Sequence, residues 1–312
     1  MNRLYSLLLF VASLLLLGCS LSETANSGSL SDRTDVPPSQ ELSSDSTDLQ
    51  AVDRICEFFD VYKDSAVVSF DKMLSEAKEI ASVYGLSDGI YASLDSLCET
   101  CSGNTNWDMK VSSYRSRCLS FYRSILLYEN ILNEDEIQRE HVPDLLKKEY
   151  LAWNKLSEDY SELMMKCIDI EYWGGTMCSV VQCYSLSRIQ SLRVNDNQIL
   201  LSHLQGTLDS YSAGLPTEVA VHAFVEAMDS RIELVKDCKK YMTEEAELTA
   251  PYYQRIDELR PIVESDLKTW VNHRTQISKK IDRDQWKPYI EATSVLMYDL
   301  AVMNHDLYRN EI

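Results

Sequence analysis

Cysteine is the residue type whose number and spacing in this chain carry the most chemistry. Eight cysteines follow Cys19: Cys56, Cys98, Cys101, Cys118, Cys167, Cys178, Cys183 and Cys238. An even number of thiols in an exported chain predicts disulfide bonds. Eight cysteines allow about a hundred pairings, so the partners stay open. The short-range candidates join Cys178 or Cys183 to Cys167, and Cys98 or Cys101 to Cys118.

A metal or redox role for these thiols is the less favoured interpretation. Cys98 and Cys101 form a Cys-x-x-Cys motif, but the βαβ context in which that motif is a redox site is missing. The same pair could hold a structural zinc ion together with Cys178 and Cys183. Export favours disulfides over zinc, so we expect neither a metal nor another cofactor.

The sequence contains no familiar catalytic motif. The five histidines are scattered and form no metal-spaced pair, and the chain has neither a glycine-rich phosphate loop nor a nucleophile elbow. Neighbouring acids such as Glu158 and Asp159 point in different directions on a helix, so they do not form an acid and base pair. We therefore expect a protein that is not an enzyme.

The N-terminal sequence predicts export and a lipid anchor. Arg3 precedes a nearly unbroken apolar run from Leu4 to Leu17, which is too short to span a bilayer comfortably. The tetrad Leu16-Leu17-Gly18-Cys19 resembles the bacterial lipobox, in which cleavage precedes the cysteine and fatty acyl chains such as palmitate are added to it. We therefore expect a lipoprotein signal peptide over residues 1–18 and acylation of Cys19, with ordinary secretion as the alternative.

The same region predicts the cellular location. Acyl chains on Cys19 would hold the protein on a membrane of the bacterial cell envelope, because more than one chain gives stable anchoring. In some bacteria an aspartate directly after the acylated cysteine is associated with retention at the inner membrane, and here Ser20 occupies that position. The expected location is therefore the outer membrane, on its periplasmic face or at the cell surface. Residues 19–50 are rich in Ser, Thr, Asp and Pro and predict a disordered tether.

The charge of the chain restricts its partners. The formal net charge is −19 at pH 7. An acidic surface of this kind repels nucleic acid and anionic lipid, and it favours association with cationic proteins. The alternative is that the acidic residues serve only solubility.

Helical periodicity runs through the rest of the chain. Only 9 Gly and 7 Pro occur among 312 residues, and no segment shows the alternation typical of a strand. The sequence predicts the all-α class, as a disulfide-stapled antiparallel helical bundle. Residues 51–205 form the expected N-terminal unit, with a double-glycine turn and most of the cysteines, and residues 215–312 form the expected C-terminal unit.

A weak internal repeat predicts that the two units are related. Leu146 and Trp153 recur as Val263 and Trp270, since 263 − 146 = 117 and 270 − 153 = 117. In both units the preceding helix ends in a cluster of acids and the following helix begins near a proline. We expect two related three-helix units, and chance likeness between helical segments is the alternative.

The stretch around the double glycine resembles the LprI-like lysozyme-inhibitor family of small exported helical proteins. That family has a helix with a tryptophan, a cysteine after it, a Gly-Gly-Ser/Thr turn, a further cysteine and a later arginine. Trp153, Cys167, Gly174-Gly175-Thr176, Cys183 and Arg188 match this pattern in order. Four residues after the tryptophan, where the family has arginine, stands Ser157. The second copy has Arg274 four residues after Trp270.

The resemblance implies a protein that binds a lysozyme-like muramidase and inhibits it. Lysozymes are commonly cationic and work through two carboxylates in a cleft, so an acidic protein would be steered toward the basic rim. The candidate contact residues are Glu134, Asp135, Glu136, Tyr172, Trp173, Gly174 and Gly175. For the acids the alternative is a solvated helix end, and for Trp173 it is a core anchor. The alternative function is a helical scaffold or adhesin-type envelope lipoprotein that binds another protein or a glycan.

Overall fold

The predicted all-α class is confirmed by the structure, a computed structural model. It describes residues 42–63, 70–86, 94, 96, 98, 105–135, 137–138, 142–173, 175–207, 217–238 and 246–280. The described part contains seven helices and no strand. They are α1 (Leu42–Tyr62), α2 (Phe70–Tyr84), α3 (Asn106–Asn133), α4 (Val142–Glu171), α5 (Cys178–Leu204), α6 (Thr217–Cys238) and α7 (Ala246–Ser278). The described residues from Ser43 onward belong to one compact unit.

Two helix starts differ from the sequence interpretation. Helix α1 begins at Leu42, inside the segment expected to be a tether, and α7 begins at Ala246, so that Pro251 lies within its second turn. Helix α5 is continuous from Cys178 to Leu204, and within it the Asn197 side chain donates a hydrogen bond to the Ser124 carbonyl of α3. Residues 281–312 of the expected C-terminal unit lie outside the described residues.

The long helices run in directions that follow from their contacts. Ser120 and Ser191 have hydroxyl oxygens 3.2 Å apart, and Asn197 contacts the carbonyl of Ser124, so α3 and α5 are parallel. Helix α4 is antiparallel to α5 and also to α7. In the second pair the Glu162 carboxylate accepts hydrogen bonds from Arg255, while the rings of Trp153 and Trp270 meet with centroids 4.9 Å apart.

Two hydrophobic cores lie side by side along α4. The first contains the apolar faces of α1, α2 and α3 and ends on α4 at Tyr150. The second begins on α4 at Trp153 and contains the apolar faces of α6 and α7. Residues of α5 enter both cores. Because α4 and α5 span both cores, they connect the two halves of the bundle.

A buried ionic cluster lies at the boundary between the two cores. Glu149 has no exposed surface, and both of its oxygens accept hydrogen bonds from Arg193 of α5, at 3.1 and 2.8 Å. Arg274 of α7 donates to the same carboxylate at 2.8 Å, as does the indole N–H of Trp270 at 2.6 Å. Asp196 binds both arginines and completes the cluster. Two buried positive charges are therefore matched by two buried negative charges.

Aromatic rings surround this cluster and join it to both cores. The Arg193 guanidinium lies 5.6 Å from the ring centroid of Tyr128 and 5.4 Å from that of Trp153. Arg274 lies 4.4 Å from the ring centroid of Trp270. Stacking of this kind stabilises a guanidinium that has lost its water. The two tryptophans of the predicted repeat therefore meet beside the cluster, and whether the two units superimpose stays a prediction.

Removing one charge from the cluster should destabilise the protein strongly. In Arg274→Met, Glu149 and Asp196 keep a single buried arginine, and breaking a buried ion pair in this way costs about 3–5 kcal/mol. The matched control is Arg255→Met, which removes a half-buried arginine of the same helix that also pairs with a glutamate of α4. Urea unfolding should show the large loss of unfolding free energy only in Arg274→Met. Equal losses in the two variants would contradict a structural role for the cluster.

Candidate functional site

One end of the bundle collects the turn between α4 and α5 and the starts of three helices. Because α3 is parallel to α5, both begin at the end where α4 finishes. Helix α7, antiparallel to α4, begins there too. We call this the turn end and define it by Trp107, Asp108, residues 172–173 and 175–177, Glu247 and Leu248. It contains Tyr172, Trp173 and Gly175, which the sequence analysis proposed for partner contact.

The turn after α4 is held by backbone hydrogen bonds. The Gly175 N–H donates to the carbonyl of Tyr172 at 2.7 Å, and the Cys178 N–H donates to the carbonyl of Gly175. A methyl group at Gly175 would lie 3.0 Å from the same Tyr172 oxygen, so glycine permits this tight turn. Trp173 is half-buried and packs edge-on against Tyr252 of α7, with ring centroids 5.7 Å apart. Gly174 lies outside the described residues.

Two large apolar side chains are exposed at the turn end. Trp107, in the first turn of α3, is 69% exposed, and Leu248, in the first turn of α7, is 63% exposed. Each stands beside an acid, Asp108 and Glu247 respectively. The sequence interpretation missed both residues because neither lies on the apolar stripe of its helix. Exposure of a tryptophan is unusual, and such residues often anchor interfaces.

The acidic candidates lie at the opposite end of the bundle. Glu134 caps the C-terminus of α3, and its carboxylate accepts a hydrogen bond from Gln205 after the end of α5 at 2.9 Å. Asp135 is exposed there, and Glu136 lies outside the described residues. Helix α4 separates the two ends, and its 30 residues correspond to about 45 Å. A single compact interface therefore cannot use both groups of candidates.

A buried ion pair lies just below the turn end. The carboxylate of Glu171, the last residue of α4, binds Arg231 of α6 through one oxygen, while its other oxygen has no hydrogen-bond donor among the described residues. Burial raises the pKa of Glu171 to about 7, against the opposing effect of Arg231. Burial likewise lowers the pKa of Arg231. We therefore expect the contact between α4 and α6 to depend on pH near neutrality.

A pair of acidic side chains joins α4 to α7. Asp159 and Asp266 lie in hydrogen-bonding contact, and Lys155 pairs with both. Burial and the contact with Asp159 raise the pKa of Asp266 to about 6. In the sequence analysis Asp159 was paired only with its neighbour Glu158. Its actual contact, Asp266, lies on a distant helix and was missed. Both aspartates are largely buried between helices, which fits a helix contact better than a reacting pair.

Ser157 and Arg274, the two positions that bear on the family pattern, have different surroundings. Ser157 lines a cavity of about 490 Å³ between α1, α3, α4 and α5, together with Arg117 and Lys155. Arg274 belongs to the buried ionic cluster and is only 3% exposed. The arginine of the second copy is therefore a structural residue in this chain, with no surface available to a partner.

A second cavity, of about 500 Å³, lies between α3 and α5, and we call it the serine groove. Four serines of α3 and two of α5 line it, together with Arg123, Tyr184 and Arg188. No acid is found among its lining residues, in a chain of net charge −19. Arg188, which matched the family pattern, therefore points to a polar groove.

The described cysteines are all thiols in this structure. No pair among Cys56, Cys98, Cys118, Cys167, Cys178 and Cys183 lies at bonding distance, so disulfide formation stays a prediction. Cys167 is buried near Arg231, whereas the Cys178 thiol faces Asp169 at 3.6 Å, so the expected link between them is not formed. Cys101 lies outside the described residues, as does the side chain of Cys238. The described residues contain no group of three potential metal ligands.

Comparison with known proteins gives no relative. No protein-family model matches the chain, and neither a curated protein nor a solved structure shows significant similarity to it. Within the described residues, no helix is long and apolar enough to cross a membrane. The resemblance to lysozyme inhibitors therefore depends on its motif residues alone.

Titration of Glu171 should make stability fall as the pH rises. The folded-state pKa of about 7 exceeds the ordinary value of 4.5, so between these pH values the folded protein binds a proton that the unfolded chain has lost. The free energy of unfolding should therefore fall by up to about 3 kcal/mol from pH 4.5 to above pH 7. Glu171→Gln should abolish this part of the pH dependence in urea unfolding.

The matched control is Glu233→Gln, which changes an exposed glutamate of α6 whose partner Lys236 stays charged throughout this pH range. This variant should keep the pH dependence of the wild type. An unchanged dependence in Glu171→Gln would show that Glu171 is not the titrating group.

Proposed function

We propose that the chain is a non-catalytic lipoprotein of the bacterial cell envelope that binds a cationic, lysozyme-like muramidase and inhibits it through the turn end. Cys19 carries the acyl anchor, and residues 1–18 are the signal peptide. Export to an oxidising compartment also explains the eight cysteines that follow Cys19, as disulfide-forming residues. The observation that carries the proposal is the exposure of Trp107 and Leu248 at the same end as Trp173.

The size of the turn end suits a protein partner. Helices α3, α5, α4 and α7 are successive neighbours, and packed helices lie about 8–10 Å apart. Trp107 and Leu248 are therefore separated by about 30 Å or less. An ordinary interface covers about 800 Å² on each partner, a patch about 30 Å wide. One muramidase could contact both residues together with the turn.

The chemistry of the turn end suits a basic partner. Its exposed apolar side chains are accompanied by two acids, Glu247 and Asp108, the second of which also caps the start of α3. One basic side chain is present, because Lys110 lies over the Trp107 ring at 5.7 Å from its centroid. Apolar anchors with a charged rim are typical of specific interfaces. The net charge of −19 would steer a cationic protein toward this acidic chain.

The opposite end is the less suitable contact surface. The Glu134 carboxylate already accepts a hydrogen bond from Gln205, and the Glu134 carbonyl receives the N–H groups of Ile137 and Gln138. These interactions close the end of α3, which is a structural role. No large apolar side chain is exposed among the described residues 133–138.

Trp107→Ala should weaken inhibition without unfolding the protein. Because Trp107 is exposed, its removal leaves both cores intact, and loss of an anchor tryptophan costs about 2 kcal/mol, or roughly 30-fold in affinity. The control is Glu134→Gln with Asp135→Asn, which neutralises the opposite end. Residues 20–312 would be mixed with a cationic lysozyme while lysis of cell-wall suspensions is followed. Unchanged lysis at large molar excess of the unmodified protein would contradict the proposal.

The serine groove favours a second candidate function, a scaffold or adhesin-type lipoprotein that binds a glycan. Its hydroxyl groups can exchange hydrogen bonds with sugar hydroxyls, and Tyr184, which is 44% exposed, offers an aromatic face. Arg123 and Arg188 would favour a glycan with acidic groups. This candidate uses a surface distinct from the turn end.

Salt distinguishes the muramidase from a partner held mainly by uncharged contacts. Binding between an acidic chain and a cationic lysozyme should weaken steeply between about 50 and 300 mM salt, because screening removes the long-range attraction. The measurement is the inhibition constant across this range. Strong inhibition that does not change with salt would contradict the electrostatic part of the proposal.

A further inference from the structure

Helices α1 and α3 pack in parallel with a constant register. Asp53 pairs with Arg115, with 3.6 Å between charged atoms, and the rings of Phe59 and Phe121 meet with centroids 5.3 Å apart. Both pairs are separated by 62 positions, since 115 − 53 = 62 and 121 − 59 = 62. Position 56 falls midway between 53 and 59, and 56 + 62 = 118. The register therefore sets Cys56 directly opposite Cys118.

The two thiols are in contact in the folded protein. Cys118 belongs to the first hydrophobic core, Cys56 packs against the same core, and each thiol shifts the pKa of the other. Cys56 is half-buried, whereas Cys118 has no exposed surface. A disulfide bond requires Cα atoms about 4.4–6.8 Å apart, and two cysteines at matching positions of neighbouring parallel helices are the arrangement that can meet this requirement.

We infer that Cys56 and Cys118 are a disulfide pair that joins α1 to α3. The pairing rests on the proposed function only for its compartment, because export supplies the oxidising environment. It differs from the short-range pairing expected from sequence, in which Cys118 joins Cys98 or Cys101. The bond would close a long loop that contains all of α2 and would fix the first hydrophobic core.

The surroundings give the two sulfurs different reactivity. The hydrogen bond from Cys118 lowers the pKa of Cys56, and the Arg115 guanidinium acts in the same direction. Burial strongly raises the pKa of Cys118. Cys56 is also the more accessible of the two, and thiolates are the attacking species in disulfide exchange. Cys56 is therefore the first to react.

The oxidant is a disulfide, either glutathione disulfide or the active-site disulfide of a dithiol oxidase. The Cys56 thiolate attacks one of its sulfurs, which forms a mixed disulfide and releases the other sulfur as a thiolate. Cys118 then gives up its proton and attacks the Cys56 sulfur. This second step forms the bond between Cys56 and Cys118 and releases the remaining thiol. Two cysteines are oxidised while one external disulfide is reduced to two thiols.

Cys98 is the less suitable partner for Cys118. The hydroxyl of Ser112 donates a hydrogen bond to the carbonyl of Cys98 at 2.7 Å, which fixes Cys98 beside the start of α3. Ser112 precedes Cys118 by six residues, which corresponds to about 9 Å along the helix. Cys56 needs no such movement, because the contact with Cys118 already exists.

Peptide mapping after oxidation tests the pairing directly. The purified full chain in mild detergent would be treated with glutathione disulfide under native conditions, then denatured, alkylated and digested without reduction. We expect a linked peptide pair that contains Cys56 and Cys118 and is lighter by two hydrogen atoms than the separate peptides. In Cys56→Ser, Cys118 should become fully alkylated after denaturation. The control Cys183→Ser, which changes a half-buried thiol of α5, should keep the linked pair.

Alkylation of both Cys56 and Cys118 after oxidation would overturn the inference, as would a bond from either one to another cysteine. The assay needs neither a muramidase nor a membrane, so its failure is independent of the proposed function. Reduction of the oxidised protein should lower its urea midpoint. In the double variant Cys56→Ser with Cys118→Ser, reduction should leave the midpoint unchanged. An equal shift in that variant would assign the stabilising bond to other cysteines.

Discussion

The carboxylate of Glu149 is the centre on which the arrangement of the long helices depends. It is fully buried on α4 and receives hydrogen bonds from Arg193 of α5 and from Trp270 and Arg274 of α7. A buried charge is costly unless it is paired and hydrogen-bonded. Burial alone would raise the pKa of Glu149, but the two arginines outweigh it and lower the pKa to about 2. Any slip of α4 against α5 or α7 would leave this charge without partners.

The position of the cluster explains how one bundle accommodates two hydrophobic cores. Along α4, Tyr150 is the last residue of the first core and Trp153 is the first residue of the second. The aromatic rings of both residues lie against the Arg193 guanidinium. Apolar cores alone tolerate several packings, whereas a set of matched charges with fixed geometry favours one register. The cluster thereby favours one register of α4 against α5 and α7. The turn end follows from that register together with the pairing of α3 with α5 through Ser120 and Ser124.

Much of the fold could be predicted from sequence, because apolar residues repeat with helical period and breakers are few. The all-α class and the core residues of α4 follow from that pattern. The ionic cluster could not be predicted, because Glu149 and Asp196 look like ordinary surface residues of a helix in an acidic chain. Their burial arises from contacts with residues 44 to 125 positions away. Trp107 was missed because it lies off the apolar stripe of α3 and the sequence gives no sign of which residues a partner contacts.

The most direct test of the account is hydrogen exchange of the complex between residues 20–312 and a cationic lysozyme. Amide protection on binding should appear at residues 105–110, 172–177 and 246–252, which surround the turn end. Residues 133–138, at the opposite end, should exchange at the same rate in the free and bound protein. Protection confined to residues 133–138 or to the serine groove, or no protection anywhere, would contradict the assignment of the turn end as the inhibitory surface.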